Sequence, residues 1–234
     1  ETYGEDPFLM SEMGSAYVRG LQGDDDRYLK AAACAKHYAV HSGPEGLRHS
    51  FDALASPKDL NETYLPAFQA LVDAGVEIVM CAYNRTNGEP CCSSDFLLQE
   101  TLRDDWGFDG HVVSDCGAIN DLHAGHKVTS DAAESAAATL KAGTDLACTS
   151  YAALHDAFER KLVTEADLDR ALTRVLRTRF RLGMFDPEGM VPWSGVPETV
   201  IGSDEHRKLS REAAVKSMVL LKNSDGLLPL SKDL

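Results

Sequence analysis

Four short apolar runs, separated by longer amphipathic stretches, dominate the hydrophobic pattern of the chain. They lie at residues 31–38, 76–83, 111–115 and 144–147. Each run is nearly continuous in apolar character rather than alternating, which is typical of parallel strands covered on both faces. The pattern therefore predicts four buried parallel β-strands in the first 150 residues.

The stretches between and after these runs have the periodicity and end signals of α-helices. Helices are predicted at residues 7–22, 57–74, 95–106, 130–142, 151–161, 164–182 and 204–218. Ser56 is an expected N-cap, with Asp59 at the third helical position, and Pro66 should interrupt the helix that follows. Thr164 and Asp167 have the spacing of a capping box.

Alternating strands and helices with short connections predict βα units and an α/β fold with a parallel sheet or barrel. Four strands are too few to close an eight-stranded barrel. We therefore expect part of a (β/α)8 TIM-like barrel. The opening residues, Glu1-Thr2-Tyr3-Gly4, look like the middle of a domain, so we expect a fragment of a longer protein.

Composition narrows the range of partners. The 234 residues include 37 acidic and 23 basic side chains, for a net charge of −14. Such a surface repels phosphate backbones and anionic headgroups, so we expect no nucleic acid and no membrane partner.

Six cysteines form no Cys-x-x-Cys pair, and we expect no metal and no cofactor. They allow three disulfides in an exported protein, or none in the cytoplasm.

Candidate chemistry gathers where the predicted strands end. In parallel βα folds, functional groups lie at the carboxyl ends of the strands. Here those ends carry Lys36-His37-Tyr38, Tyr83-Asn84, Ser114-Asp115 and Thr144-Asp145. We expect these groups to meet at one rim, where they suit a neutral, hydroxyl-rich ligand. No glycine-rich loop for phosphate is present.

Asp115 allows two interpretations. A carboxylate after a strand can attack an anomeric carbon, but it can also cap a helix that follows Gly117. Ser114 lacks the Gly-x-Ser-x-Gly setting of a nucleophilic serine. Arg48 and His49 lie in the loop after the first strand, where solvated charges are common.

Several motifs, in order and suitably spaced, resemble glycoside hydrolase family three, especially its β-glucosidase and β-xylosidase branch. The similar stretches are residues 1–9, 36–38, 80–84, 87–88, 102–110, 112–115, 142–146, 220–223 and 227–230. The similarity covers nearly the whole chain. Each motif is weak alone, but the set is specific.

The resemblance implies a role for each matching residue. Asp115 matches the nucleophile of a retaining, exo-acting β-glycosidase that forms a covalent glycosyl-enzyme. Lys36 and His37 match a pair that hydrogen-bonds sugar hydroxyls, Arg48 resembles a supporting arginine, and Tyr83 matches a tyrosine near the nucleophile. The implied substrate is a small neutral β-linked oligosaccharide or glycoside.

The resemblance also implies a domain plan. Residues 1–150 would form the C-terminal half of the barrel, 151–185 its closing helices, and 186–234 a linker and the start of a second α/β domain. That domain would supply the acid/base, so the isolated chain should lose about 10²–10⁴-fold in rate. The disulfides Cys81–Cys92 and Cys116–Cys148 of some exported relatives are implied, as is a secreted or periplasmic location.

Three alternatives stay open from the sequence. A β-N-acetylglucosaminidase-type member would use a loop histidine, for which His49 is available. A non-catalytic carbohydrate-binding protein would have the same rim without turnover. A metal-dependent lyase or an aldolase would need a carboxylate cluster or a Schiff-base lysine such as Lys36.

Overall fold

The computed structural model describes residues 3–149 and 151–232. Residues 1–2 of the first family-like motif, and the final residue of the predicted 1–150 segment, lie outside this part. The chain divides into two compact units, with the boundary between Pro192 and Trp193.

A three-stranded parallel sheet forms the centre of the first unit. The strands of the described chain are β1 Cys34–Tyr38, β2 Asp52–Ala53, β3 Ile78–Cys81, β4 Arg85–Thr86, β5 Glu89–Pro90 and β6 His111–Ser114. The order in the main sheet is β1-β3-β6, and β2, β4 and β5 form a small second sheet. The first three predicted strands are confirmed, in shorter form.

The fourth predicted strand, at residues 144–147, is wrong except for one parallel bridge between Val113 and Leu146. The reason lies in the side chain of Asp145. Its Oδ2 accepts a hydrogen bond from Val112 N at 2.9 Å, so a carboxylate oxygen takes the place of a backbone carbonyl. The amides of Asp145 and Leu146 both donate to Val112 O, which is not a regular strand ladder.

The helices agree closely with the sequence pattern. They are α1 Pro7–Gln22, α2 Pro57–Asp59, α3 Pro66–Asp73, α4 Ala118–Ala124, α5 Ala132–Ala142, α6 Ala152–Glu159, α7 Glu165–Arg181 and α8 Asp204–Ser217, with π-type segments at Leu60–Tyr64 and Phe96–Asp105. Capping boxes form at Ser56 and at Thr164, and α3 begins at Pro66 as expected. The short α4 follows Gly117, where a helix was considered only as the alternative interpretation of Asp115, and no side chain caps it.

The main core lies on one face of the sheet. Ala35, Val79 and Val112 are buried and belong to one apolar cluster with Leu98 and Leu102 of the helix Phe96–Asp105. On β1, by contrast, Cys34 and Lys36 are exposed. The expectation that both faces of the strands are covered is therefore wrong for β1, whose side chains alternate between a packed and an open face.

A buried polar network joins α7 to the amino end of the sheet. Glu77, just before β3, accepts a hydrogen bond from Thr178 Oγ1 at 2.7 Å and forms an ion pair with Arg181. The ring of His111 lies 2.8 Å from the same threonine hydroxyl, and burial lowers its pKa. These contacts fix the last helix of the unit against the strands.

The second unit begins at Trp193 and contains α8, capped by the Ser203 side chain. The residues of α8 are exposed. The assignment of residues 186–234 to a linker and a second domain stays a prediction. Among the described residues, none of the helices has the length and apolar character needed to cross a membrane.

Candidate active site

Asp115 lies immediately after β6, on the side of the sheet where the carboxyl ends of the parallel strands meet. We call this side the carboxyl edge. Its amide donates to Cys81 O at 3.2 Å, which continues the pairing with the neighbouring strand, and its Oδ1 accepts from Cys116 N at 2.7 Å. The chain then turns at Gly117, whose φ of 87° is a conformation that favours glycine, into α4. The strand thus presents the carboxylate at an edge, with 14% of its side chain exposed.

His37 is the residue that the structure brings to the second carboxylate oxygen. Its Nε2 lies 3.2 Å from Asp115 Oδ2. The two residues come from β1 and β6, the outer strands of the main sheet, so the imidazole reaches across the end of β3. The register of β1 shifts between Ala35 and Tyr38, and the peptide bond Lys36-His37 is cis.

Lys36 is exposed on the same strand end. Its charge and that of Asp115 both act on the thiol of Cys34. Desolvation raises the pKa of this thiol to about 11, although part of the residue is exposed; the lysine lowers the pKa and the aspartate raises it. The charges of Lys36 and Asp115 therefore both reach the Cys34 thiol, and Lys36 is exposed.

Tyr83 extends the site on the other side of Asp115. Its hydroxyl donates to Cys116 O at 2.8 Å. Partial burial raises the pKa of this phenol, and the nearby Asp115 carboxylate raises it further. The phenol is consequently a neutral hydrogen-bonding group beside a carboxylate.

Arg48 reaches the site through Tyr83. Its Nη2 donates to Glu45 Oε2 at 2.8 Å, which raises its pKa, and its guanidinium lies 5.7 Å from the centre of the Tyr83 ring. The arginine is therefore in the neighbourhood of the predicted site, but its direct contacts are Glu45 and an aromatic face.

Other polar groups lie around Tyr83. Of these, His49 was named only for the β-N-acetylglucosaminidase-type alternative, and the others had no assigned role. The carboxylate of Asp121 on α4 lies 2.8 Å from His49 Nδ1, and the His49 ring contacts the Tyr83 ring at 4.9 Å. His126 Nε2 lies 2.7 Å from Tyr83 O, and the His41 ring is 5.1 Å from His37. Proximity to Asp115 along the chain is a signal that could have drawn attention to Asp121.

The loop that carries Arg48 and His49 approaches α4 very closely at Gly125. A Cβ atom built on this glycine would lie 2.0 Å from His49 O. The end of α4 and the loop therefore meet backbone to backbone, and a larger residue could not fit unless one of them moved.

Both predicted disulfides are present. Cys81 bonds to Cys92, and Cys116 bonds to Cys148. The second bond joins the residue after Asp115 to the loop beyond Leu146, and Gly117 N donates to Cys148 O at 3.1 Å. The backbone that follows the candidate nucleophile is thus covalently fixed.

Asp145 was expected at the same rim, and that expectation is wrong. Its side chain is 1% exposed and lies between Arg103 at 2.8 Å and Arg174 at 3.0 Å. Ser114 is also fully buried, and its Oγ accepts from Cys148 N. In residues 3–149 and 151–232, no group of three His, Cys, Asp or Glu side chains could hold a metal ion.

The geometry defines a class of protein: a parallel βα fold whose sheet edge presents one accessible carboxylate among hydrogen-bond donors. His37 contacts this carboxylate, Tyr83 bonds to the next residue, and Arg48 lies over the Tyr83 ring. Such a set can hold a hydroxyl-rich ligand while the carboxylate attacks carbon or stabilises positive charge.

Comparisons with known proteins identify the family. Residues 1–178 match the family model described as the glycosyl hydrolase family 3 N terminal domain. The chain therefore belongs to glycosyl hydrolase family 3. This match and the solved relatives also confirm the predicted fold class, part of a (β/α)8 barrel.

Among similar proteins, a xylan 1,4-beta-xylosidase of Xylanibacter ruminicola is 46% identical, over 100% of this chain and 28% of its own length. A solved GH3 exo-beta-xylosidase with a xylobiose aziridine probe superposes with a TM-score of 0.91 at 39% identity, over 99% of this chain and 31% of its own.

A beta-glucosidase of Listeria innocua, solved with isofagomine, has a TM-score of 0.87 at 35% identity, over 99% of this chain and 33% of its own. The chain thus spans about a third or less of the length of each of these three relatives.

Proposed function

We propose that this chain carries the nucleophile half of the active site of a retaining, exo-acting β-glycosidase, specific for β-xylosides or β-glucosides. The observation that carries the proposal is the Asp115 carboxylate at the carboxyl ends of the strands, 14% exposed and with His37 Nε2 3.2 Å from one oxygen. Family membership and the names of the relatives support the same reaction class.

In the proposed first step, an Asp115 carboxylate oxygen attacks the anomeric carbon of the terminal sugar. The bond from that carbon to the leaving oxygen breaks as the new ester bond forms, and a second carboxyl group protonates the leaving oxygen. In the second step a water, deprotonated by the same second group, attacks the anomeric carbon and releases Asp115. The two displacements together retain the anomeric configuration.

The donors around Asp115 suit this chemistry. Lys36, Arg48 and the Tyr83 hydroxyl can donate to sugar hydroxyls, and His37 can bond both to the carboxylate and to a ligand. None of these contacts requires a charged substrate. A neutral glycoside is therefore the substrate class that we assign.

We place the acid/base outside this chain. In a retaining enzyme it should lie about 5–5.5 Å from the nucleophile. Asp121, the acidic group on the helix after Asp115, is engaged with His49 at 2.8 Å and is a poor candidate. We assign residues 1–150 to the later half of the barrel, 151–185 to its closing helices, and 186–234 to the approach to a second domain, which would supply the missing carboxyl group.

Two disulfides favour an oxidising compartment, because reducing cytoplasm seldom permits them. We therefore propose that the enzyme is secreted or periplasmic.

A covalent label tests the central step. The full-length enzyme would be treated with a 2-deoxy-2-fluoro-β-xyloside and, separately, the glucoside, and its peptides mapped by mass spectrometry. We expect one sugar on Asp115, and no label in Asp115→Asn. Asp104→Asn, an exposed carboxylate variant, is the control and should label normally. A label on another carboxylate, or inversion of configuration in the product, would contradict the proposal.

A further inference from the structure

A cavity in the first unit is lined by none of the candidate active-site residues. It has a volume of about 440 Å³ and is bounded by the segment from Pro57 to Gln69, the β4–β5 hairpin and the helix Phe96–Asp105 with Trp106. We call it the helix groove. Its volume lies within the range of small-molecule sites.

Both helical walls of the helix groove contain π-type turns. Leu65 N donates to Leu60 O at 2.9 Å, and Trp106 N donates to Thr101 O at 3.1 Å, each across five residues. Pro66, which has no N–H, accounts for the first of these wide turns. The helix Phe96–Asp105 contains no proline, so this cause does not explain the second. Turns of this π type are rare in proteins overall, but those that do occur are often found at functional sites.

The lining of the helix groove combines aromatic rings with hydrogen-bonding groups. Phe96 is 40% exposed and Trp106 is partly exposed. The rings of Trp106 and Tyr38 make an edge-to-face contact. Asn61 uses its amide N–H to bind Pro57 O, and one Glu89 oxygen accepts from Ser94. Each of these two side chains has a further oxygen with no hydrogen-bond donor among the described residues.

The charges of the lining select among ligands. Glu89 and Asp105 are its ionisable residues, and within the described chain it has no lysine, arginine or histidine. An anion would meet only carboxylates and is disfavoured. A multivalent metal would need more ligands, and the described residues offer no group of three His, Cys, Asp or Glu for it. A neutral molecule with an apolar face and several hydroxyls fits both the rings and the oxygens.

We propose that the helix groove is a second carbohydrate-binding site, which holds an inner segment of a neutral β-linked polysaccharide. This inference rests on the proposed function. An exo-acting enzyme cleaves only chain ends, so a site that retains the polymer raises the local concentration of those ends. Aromatic rings would stack on the sugar faces, while Asn61, Gln69 and Glu89 would bind hydroxyls.

Affinity gel electrophoresis of the full-length enzyme tests this site. The gels would contain arabinoxylan or mixed-linkage β-glucan, and Asp115→Asn would serve as background so that the polymer stays intact. Phe96→Ala and Gln69→Ala should each weaken retardation about 3- to 10-fold, since each removes a contact of modest strength. Phe158→Ala is the matched control because Phe158, on α6, is 37% exposed and lies outside the groove.

Hydrolysis of a small aryl β-xyloside and aryl β-glucoside, measured without the Asp115 change, separates the two proposals. We expect both groove variants to hydrolyse them normally. No retardation by either polymer, or retardation that Phe96→Ala and Gln69→Ala leave unchanged, would overturn the second site even if the enzyme is active. An enzyme inactive on both aryl glycosides would instead contradict the proposed function.

Discussion

Asp115 and Asp145 both lie in runs that were predicted to be strands, yet their surroundings are very different. Asp115 contacts one imidazole and accepts one backbone N–H where the strands of the sheet end, with the Tyr83 phenol nearby. Asp145 is almost fully buried between Arg103 and Arg174, and it also binds Val112 N.

The two carboxylates differ in how much hydrogen-bonding capacity each has left for a ligand. Two arginines and a backbone amide occupy the oxygens of Asp145, and burial leaves no path to solvent. The same burial lowers the pKa of Arg103 to about 10. Asp115 has partners that can exchange or share their bonds with a sugar. The first environment stabilises the fold, and the second is available for chemistry.

The largest effect should come from Asp115→Asn in the full-length enzyme. An amide is a very poor nucleophile, so kcat on an aryl β-xyloside should fall on the order of 10³-fold or more. The urea unfolding midpoint should change little, because the site is at an edge. Asp104→Asn is the control for both measurements. If Asp115→Asn kept more than about a tenth of the wild-type activity, Asp115 would not be the nucleophile.

The same substitution at Asp145 should have the opposite outcome. Asn in this position leaves two arginines without their anion, which should lower the free energy of unfolding by about 3–5 kcal/mol. Urea titration followed by circular dichroism measures this, and kcat per folded molecule should be nearly normal. If Asp145→Asn were as stable as the wild type but inactive, our assignment of the two carboxylates would be reversed.

The disulfide next to Asp115 provides a third test. Cys116 and Cys148 are 32 residues apart, and loss of a cross-link over that distance should cost about 3–4 kcal/mol of stability. Cys116→Ser with Cys148→Ser should therefore lower both the unfolding midpoint and kcat, because the backbone after Asp115 is released. Unchanged kcat in the folded double variant would mean that other contacts suffice to position the carboxylate.

Removal of the imidazole partner should have a smaller effect. His37→Ala takes away one hydrogen bond to a charged group, worth about 1.5–3 kcal/mol, or roughly 10- to 150-fold in kcat/KM. His155→Ala, an exposed histidine on α6, is the matched control. Steady-state kinetics with an aryl β-xyloside would show the difference, and equal values for the two variants would argue against a role for His37.

The smallest predicted effect concerns pH and the buried network at the amino end of the sheet. Burial lowers the pKa of His111 below its ordinary 6.5, so the unfolded chain takes up a proton that the folded chain resists. Stability should therefore fall by up to about 1 kcal/mol as the pH drops one unit below 6.5. Urea unfolding of His111→Asn should show a weaker dependence of stability on pH in this range. If the slope did not change, groups other than His111 would cause the pH dependence.

Much of this arrangement could be predicted because it depends on local sequence. Periodicity located the strands and helices, and the strand ends located Lys36, His37 and Asp115. The capping residues at Ser56 and Thr164 gave the helix starts to within a residue. The family resemblance added the disulfide pairs, which spacing alone left undecided.

The features that were missed depend on contacts between distant residues. Asp145 lies within a predicted strand, but its surroundings are set by Arg103 and Arg174, which lie 42 and 29 residues away. Asp121 and His49 are 72 residues apart. The strands of the small sheet have two residues each, too few to produce a period.

The backbone contact at Gly125 has a practical consequence for protein engineering. A change there would displace the segment that carries Arg48 and His49, although Gly125 has no side chain of its own to offer a substrate. Random mutagenesis aimed at altered sugar preference should therefore yield hits at this glycine, and they would resemble mutations of the loop itself in their kinetics. Rational redesign would do better to leave it fixed and vary the exposed side chains of the loop.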